Sequence, residues 1–192
     1  RPAVCATHTD GTLKVNLQID ASDVPLVTGL GWDFSHARRL VYVLDALQRN
    51  RNAVQTIFAL SVQELLPPEL ERAFAAQLIA TVWNGDAKRP LFTNYWSGAN
   101  GWYRVAYDNG SGYCNPGYPP YGLSDSFVTG GYATWGRHYP MVREIARSLY
   151  RLSQSSKQAD RDFVYKYYGG LLAATADKRL LTQLMFWPTL IE

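Results

Sequence analysis

Pro140-Met141-Val142-Arg143-Glu144-Ile145-Ala146-Arg147-Ser148-Leu149-Tyr150-Arg151-Leu152 is the stretch that decides the fold class. Val142, Ile145, Leu149 and Leu152 recur at the spacing that gathers them on one side of an α-helix. Pro140 suits the first turn, where an amide proton has no helical partner to lose. Arg143, Arg147 and Arg151 recur every four residues beside that seam. Such a stripe can meet an anionic polymer or a membrane surface, but its plainer reading is a solvated face.

The same pattern extends in both directions. Downstream, Asp160 can cap a helix to about Ala176 that crosses Gly169-Gly170, and Asp177 a last turn or two to about Phe186. Upstream, Ser124 or Asp125 can cap a helix reaching about Arg137. Nearer the start, Ser35 can cap a helix from about His36 to Gln48, with Leu40, Val43, Leu44 and Leu47 as its seam. Ala53 to Leu66 places Val54, Ile57, Phe58, Ser61 and Leu65 on one face, and Pro67-Pro68 stops it. A third helix runs from Pro68 to about Trp83 on Leu70, Phe74, Leu78 and Val82. Residues 12–19 alternate apolar and polar, as a half-buried strand does, without an obvious neighbour to pair with.

The expectation is a mainly α fold of about six or seven helices in a single helical domain, residues 1–192. Within it lie an N-terminal strand and loop (1–34), helices (36–83), an aromatic-rich loop (84–123) and further helices (124–187). The loop carries the turn dipeptides Asn84-Gly85, Asn100-Gly101 and Asn109-Gly110. Trp102 to Tyr107 and Ser111 to Cys114, on either side of Asp108-Asn109-Gly110, read as a small β-hairpin. A loop of this length in a compact domain is usually functional or disordered. Its density of Tyr and Trp argues against disorder.

Composition narrows the function classes. A net charge of +3 lacks the strongly basic face expected of a nucleic-acid-binding protein. No run of about 18 apolar residues is available for a membrane-spanning helix. Nothing in the sequence calls for a metal, a nucleotide or a haem, and the cofactor expectation is none. Neither Gly-x-Ser-x-Gly nor His-Glu-x-x-His occurs. Cys5 and Cys114 lie in irregular segments and suit one stapling disulfide, worth roughly 4–5 kcal/mol for so long a loop. That disulfide implies a secreted or periplasmic protein. The opening Arg1-Pro2-Ala3-Val4-Cys5 suits a mature end left by cleavage, and equally a piece of a longer chain.

Aromatic faces, amides and glycines together are the parts of a sugar-binding surface. A pyranose packs its CH groups on Trp or Tyr and pairs its hydroxyls with Asn, Asp and Arg. In this chain Trp96, Trp102, Tyr118 and Tyr121 are the stacking candidates, and Asn94 and Arg104 the polar ones. His138, between two helices and flanked by Trp135 and Tyr139, is a candidate wall residue. Acid–base cleavage needs carboxyl groups in a protected cleft. Asp125 and Asp108 flank the loop, and Glu64 ends an apolar segment where burial would raise its pKa. Asp125 and Asp108 also suit a helix cap and a turn. In Trp32-Asp33-Phe34-Ser35-His36, Asp33 can orient His36 as a base toward Ser35 or a substrate, and the same spacing is ordinary helix capping.

Gly122 to Leu152 gives two successive helices after a Tyr/Trp/Gly-rich loop, and in that style resembles the helical-hairpin (α/α) polysaccharide enzymes. The likeness covers a small part of the chain and brings no catalytic residues with it. The functional expectation is an exported domain that binds or cleaves a carbohydrate polymer, such as a cell-wall glycan or exopolysaccharide. The alternatives are a non-catalytic domain holding a protein partner on the same loop, or one part of a larger enzyme.

Overall fold

A computed structural model describes residues 5–7, 13–15, 29–104 and 117–172, with isolated positions at 176, 177, 180, 184 and 186. The fold is mainly α. Two short antiparallel strands, β1 (Cys5–Thr7) and β2 (Leu13–Val15), pair with Cys5 opposite Val15. The alternating stretch therefore has its partner, in the segment before it. Six α-helices follow among the described residues: α1 (Phe34–Arg49), α2 (Arg51–Ile57), α3 (Leu70–Gln77), α4 (Ser126–Thr129), α5 (Pro140–Ser153) and α6 (Gln158–Tyr167). No helix among these residues is long and apolar enough to cross a membrane.

Helix α5 follows its sequence pattern closely, with Val142, Ile145 and Leu149 fully buried. Its arginines run along one side of the helix, with Arg147 and Arg151 exposed. Arg147 pairs with Glu144 at 2.7 Å, while Arg143 packs beside Gly136. Elsewhere backbone conformation overrides periodicity. The expected helix over 53–66 ends at Ile57, and Ala59 turns back at φ +51°. Ile57 and Phe58, expected on the buried face, are exposed. The expected helix to Arg137 breaks after Thr129, where Gly131 adopts φ +76° and a separate 3-10 turn (Tyr132–Arg137) begins. A Cβ on Gly131 would sit 2.3 Å from the Tyr42 hydroxyl, so this glycine also lets α1 approach closely. Helix α3 widens into a π turn (Leu78–Val82) before Trp83. The helix assigned to Asp160 starts at Gln158 and stops at Tyr167; Asp160 instead binds the Ser155 hydroxyl and Arg89, both at 2.5 Å.

The core is a column of near-parallel rings. Phe127 stacks on Phe92 at 4.6 Å, Phe92 on Phe34 at 5.1 Å, and Phe34 on Tyr132 at 4.6 Å. Trp96 continues it at 5.9 Å from Tyr132 and meets Trp135 edge-on at 6.1 Å. The polar ends of its tyrosines are satisfied: Tyr132 donates to the Phe34 carbonyl at 2.8 Å, and Tyr168 to the Pro90 carbonyl at 2.6 Å. Phe92 and Trp96 come from the aromatic loop, so the loop supplies part of the core.

The loop is fastened chiefly by one amide. Asn94 is fully buried; its Nδ2 donates to the Gly101 and Pro119 carbonyls, both at 2.8 Å, and its Oδ1 accepts from the Leu123 amide at 3.0 Å. Asn100 repeats the device, its Oδ1 accepting from the amides of Asn94 (3.2 Å) and Tyr121 (2.8 Å). Tyr103 and Tyr118 exchange backbone hydrogen bonds at 2.9 and 2.8 Å. Residues 105–116, which include the expected hairpin turn, Asp108 and Cys114, lie outside the described residues, as does the Cys5 side chain. No disulfide is found among the described residues.

Candidate functional site

Two backbone hydrogen bonds and one from a side chain carry the chain entering α1 along the loop. Phe34 donates to the Asn94 carbonyl at 2.8 Å, Trp96 donates to the Trp32 carbonyl at 2.7 Å, and Ser97 Oγ donates to the Leu30 carbonyl at 2.6 Å. Asp33 thereby stands opposite Tyr95 in an isolated antiparallel bridge. Between this junction and α1 opens a cleft of about 660 Å³. Asp33, His36 and Arg39 bring charge or titratable nitrogen to it; Trp32, Tyr95 and Tyr103 form its aromatic walls.

Asp33 does two things at once. Its Oδ1 caps α1, accepting from the amides of Ser35 and His36, both at 3.1 Å, and from the Ser35 hydroxyl at 2.5 Å. Its Oδ2 lies 2.6 Å from His36 Nδ1. The helix thus begins at Phe34 with Asp33 as cap, two residues earlier than a Ser35 cap would place it. Burial pushes the Asp33 carboxyl up, but the hydrogen bonds from Ser35 and His36 and the attraction of the imidazole outweigh it and hold the carboxyl below its ordinary value. With its ring proton on Nδ1, His36 donates to the ionised Asp33 carboxylate, and the same ring lines the cleft. The ring is 34% exposed, enough for a bound molecule to reach it.

Tyr103 closes the cluster. Its hydroxyl lies 3.4 Å from His36 Nδ1 and also bonds the Asp33 carboxylate. Burial, followed by the nearby Asp33 charge, raises the Tyr103 phenol above its ordinary value; Tyr95 is raised by the same two causes. Both hydroxyls therefore keep their protons and act as donors. The Tyr95 and Tyr103 rings meet edge-on at 6.1 Å, and Tyr118 continues the surface at 6.0 Å from Tyr103. Tyr95 donates to the Trp102 carbonyl at 3.1 Å. Together these groups offer a base, a protonated hydroxyl, a guanidinium and apolar faces in one open cleft.

The residues expected from sequence divide sharply. Trp102 and Tyr118 are exposed beside the cleft, and the Arg104 guanidinium lies 5.2 Å from the Tyr103 ring centroid. Tyr121 is half-buried at φ +65°, with its amide held by Asn100. Trp96 is no stacking platform: it is only 7% exposed, inside the ring column. Asn94 cannot serve a substrate, because its amide is fully used within the loop. Glu64 is exposed rather than buried; bonds from the Ser61 amide and hydroxyl hold its carboxyl below its ordinary value, the reverse of a general acid. Asp125 starts α4 and does not line the cleft.

His138 belongs to another cluster. Its Nε2 lies 3.2 Å from Glu71 Oε2, and the same buried carboxylate accepts from Trp135 Nε1 at 3.1 Å and from Arg137. This network ties α3 to the turn before α5. Among the described residues no three His, Cys, Asp or Glu side chains converge as metal donors.

Asp33 and His36 were visible in the sequence as a motif with two readings; the structure shows the helix cap, and it also places the Asp33 carboxylate against the His36 ring. Arg39, Tyr95 and Tyr103 carried no local signal as partners of His36; only their place in the folded chain gives it. No protein-family model matches the chain, and no curated protein or solved structure matches it either.

Proposed function

We propose that this chain binds and cleaves a carbohydrate polymer in the cleft between α1 and the aromatic loop, by proton transfer at His36. The observation that carries the reading is the 2.6 Å contact of Asp33 Oδ2 with His36 Nδ1, beside the Tyr103 hydroxyl in an aromatic-walled cleft. An imidazole oriented by a carboxylate is a general base whose second nitrogen faces the reacting group. Trp32 is 58% exposed and Trp102 45% exposed, and such apolar faces suit the CH face of a sugar ring. Acid–base duty passes in this proposal from Asp125, Glu64 and Asp108 to His36 and Tyr103. Export belongs to the same proposal, since cell-wall glycans and exopolysaccharides lie outside the cytoplasm.

The test is a turnover screen against peptidoglycan and a panel of acidic and neutral polysaccharides, with mass analysis of soluble products and His36→Ala alongside. Defined oligosaccharides released by the native chain and lost in the variant support the reading. Binding without products shifts it to a glycan-holding module. Neither binding nor products from any polymer removes the carbohydrate reading, leaving a protein partner for the exposed Trp32, Trp102 and Tyr118.

A further inference from the structure

We infer that the polymer contains uronic acid residues and that the cleft breaks it by elimination, without water; the inference rests on reading the cleft as a carbohydrate site. Glycoside hydrolysis generally needs two carboxyl groups flanking the scissile bond, one to protonate the leaving oxygen and one to activate water or attack the sugar. Asp33 is the only carboxylate among the described residues lining this cleft. Both its oxygens are engaged, Oδ1 by Ser35 and the α1 amides and Oδ2 by His36. Glu71 is closed into its network with Trp135, Arg137 and His138, and Glu64 into its own cap.

Elimination asks for a different set of groups, and the cleft supplies them. It needs a base, a proton donor and a cation for a substrate carboxylate. The Arg39 guanidinium lines the cleft and makes no ion pair among the described residues. A uronate carboxylate paired with it loses charge repulsion, and the proton on the adjacent carbon, C5, becomes easier to remove. His36 Nε2 takes that proton. The C5–H electron pair becomes the C4–C5 double bond, the C4–O4 bond breaks, and O4 takes the proton of the Tyr103 hydroxyl. Once the products leave, the imidazolium gives up its Nε2 proton to solvent and the Tyr103 phenolate takes one back from solvent, so base and donor return to their starting forms with no net proton gained or lost. The products are one chain with a new reducing end and one with an unsaturated uronate, and no oxidant, reductant or water is consumed. Asp33 is a positioning residue here, and His36, Tyr103 and Arg39 are the groups that touch substrate.

The experiment incubates the full chain with polygalacturonate, alginate and hyaluronan, with carboxyl-reduced forms of each, and with neutral xylan and cellulose. Products are read by the ultraviolet absorbance of the conjugated double bond and by mass. The expected result is absorbing fragments, each pair summing to the parent without added water, from at least one uronate polymer and from no reduced or neutral one. Arg39→Gln, at an exposed position, should lower kcat/KM on that polymer about a hundredfold. Tyr103→Phe keeps the ring packing and should lower kcat without raising KM. Saturated fragments one water heavier, or equal cleavage of reduced polymers, overturn elimination while leaving the carbohydrate reading in place. Absence of both binding and products across all polymers overturns that reading, and the inference falls with it.

Discussion

Asp33 holds His36 at two points, the backbone amide through Oδ1 at 3.1 Å and the ring through Oδ2 at 2.6 Å. One carboxylate therefore sets both where the helix starts and how its imidazole is turned. Asp33→Asn separates the two duties, because the amide oxygen can still cap while the charge is lost. The expected outcome is a fold whose stability changes by less than about 1 kcal/mol. On the substrate found by the turnover screen, kcat should fall about a hundredfold and its pH profile should shift. Circular dichroism and pH–rate curves read the two effects separately. An unchanged pH profile would mean that Asp33 is a cap and nothing more.

Acid stability follows from the same group and from Asp45. Burial opposes ionisation of Asp45 too, but its hydrogen bonds from Arg137 and Arg49 outweigh that and depress its carboxyl pKa. A carboxyl with a depressed native pKa binds its proton more weakly when folded than when unfolded. Its contribution is fully present above about pH 4 and is lost as pH falls through the folded value. Urea-unfolding stability should therefore decline below about pH 4, with a shallower decline in Asp33→Asn and Asp45→Asn. For the partly exposed Asp45 the change at neutral pH should stay below about 1 kcal/mol. Identical acid limbs in the native chain and both variants would contradict this linkage.

Asn94 should behave as a fastener. Asn94→Ala strands the Gly101 carbonyl and the Leu123 amide, each of which costs about 1–3 kcal/mol if left unpaired in a buried setting, and leaves the Pro119 carbonyl with the Gly122 amide alone. A loss of about 3 kcal/mol or more in urea unfolding is expected. A variant of native stability that only binds substrate poorly would restore Asn94 as a ligand.

Two tryptophans six residues apart should respond in opposite ways. Trp96→Ala removes a ring from the core column and should cost about 3–5 kcal/mol. Trp102→Ala should leave the melting temperature almost unchanged and weaken glycan binding. Calorimetry for stability and affinity electrophoresis for binding distinguish them, and matching losses of stability would remove Trp102 from the proposed surface.

That contrast shows where the sequence stops being legible. Helix α5 could be read directly, because Val142, Ile145 and Leu149 obey a local period and the local period decided the outcome. The break at Gly131 could not be, since it depends on how closely Tyr42 approaches from another helix. Trp96 and Trp102 carry similar local signals; only Phe34, Tyr132 and Trp135 around Trp96 make it core. The Asp33–His36 spacing was legible as chemistry or as capping, and sequence offered no means to weigh the two. The groups that favour chemistry, Tyr95 and Tyr103, lie far along the chain.

The separation between those parts bears on how the molecule is made. His36 rides on α1, whereas Tyr103, its hydroxyl partner, is 67 residues away. The contacts joining them are non-local, of the kind that chain entropy delays during folding. Helix α1 can gather its own turns early, with Asp33 already against His36, yet the cleft has no far wall until the loop docks. A refolding chain should regain its helical signal before its ability to hold ligand, and the lag between the two would time the docking of the loop.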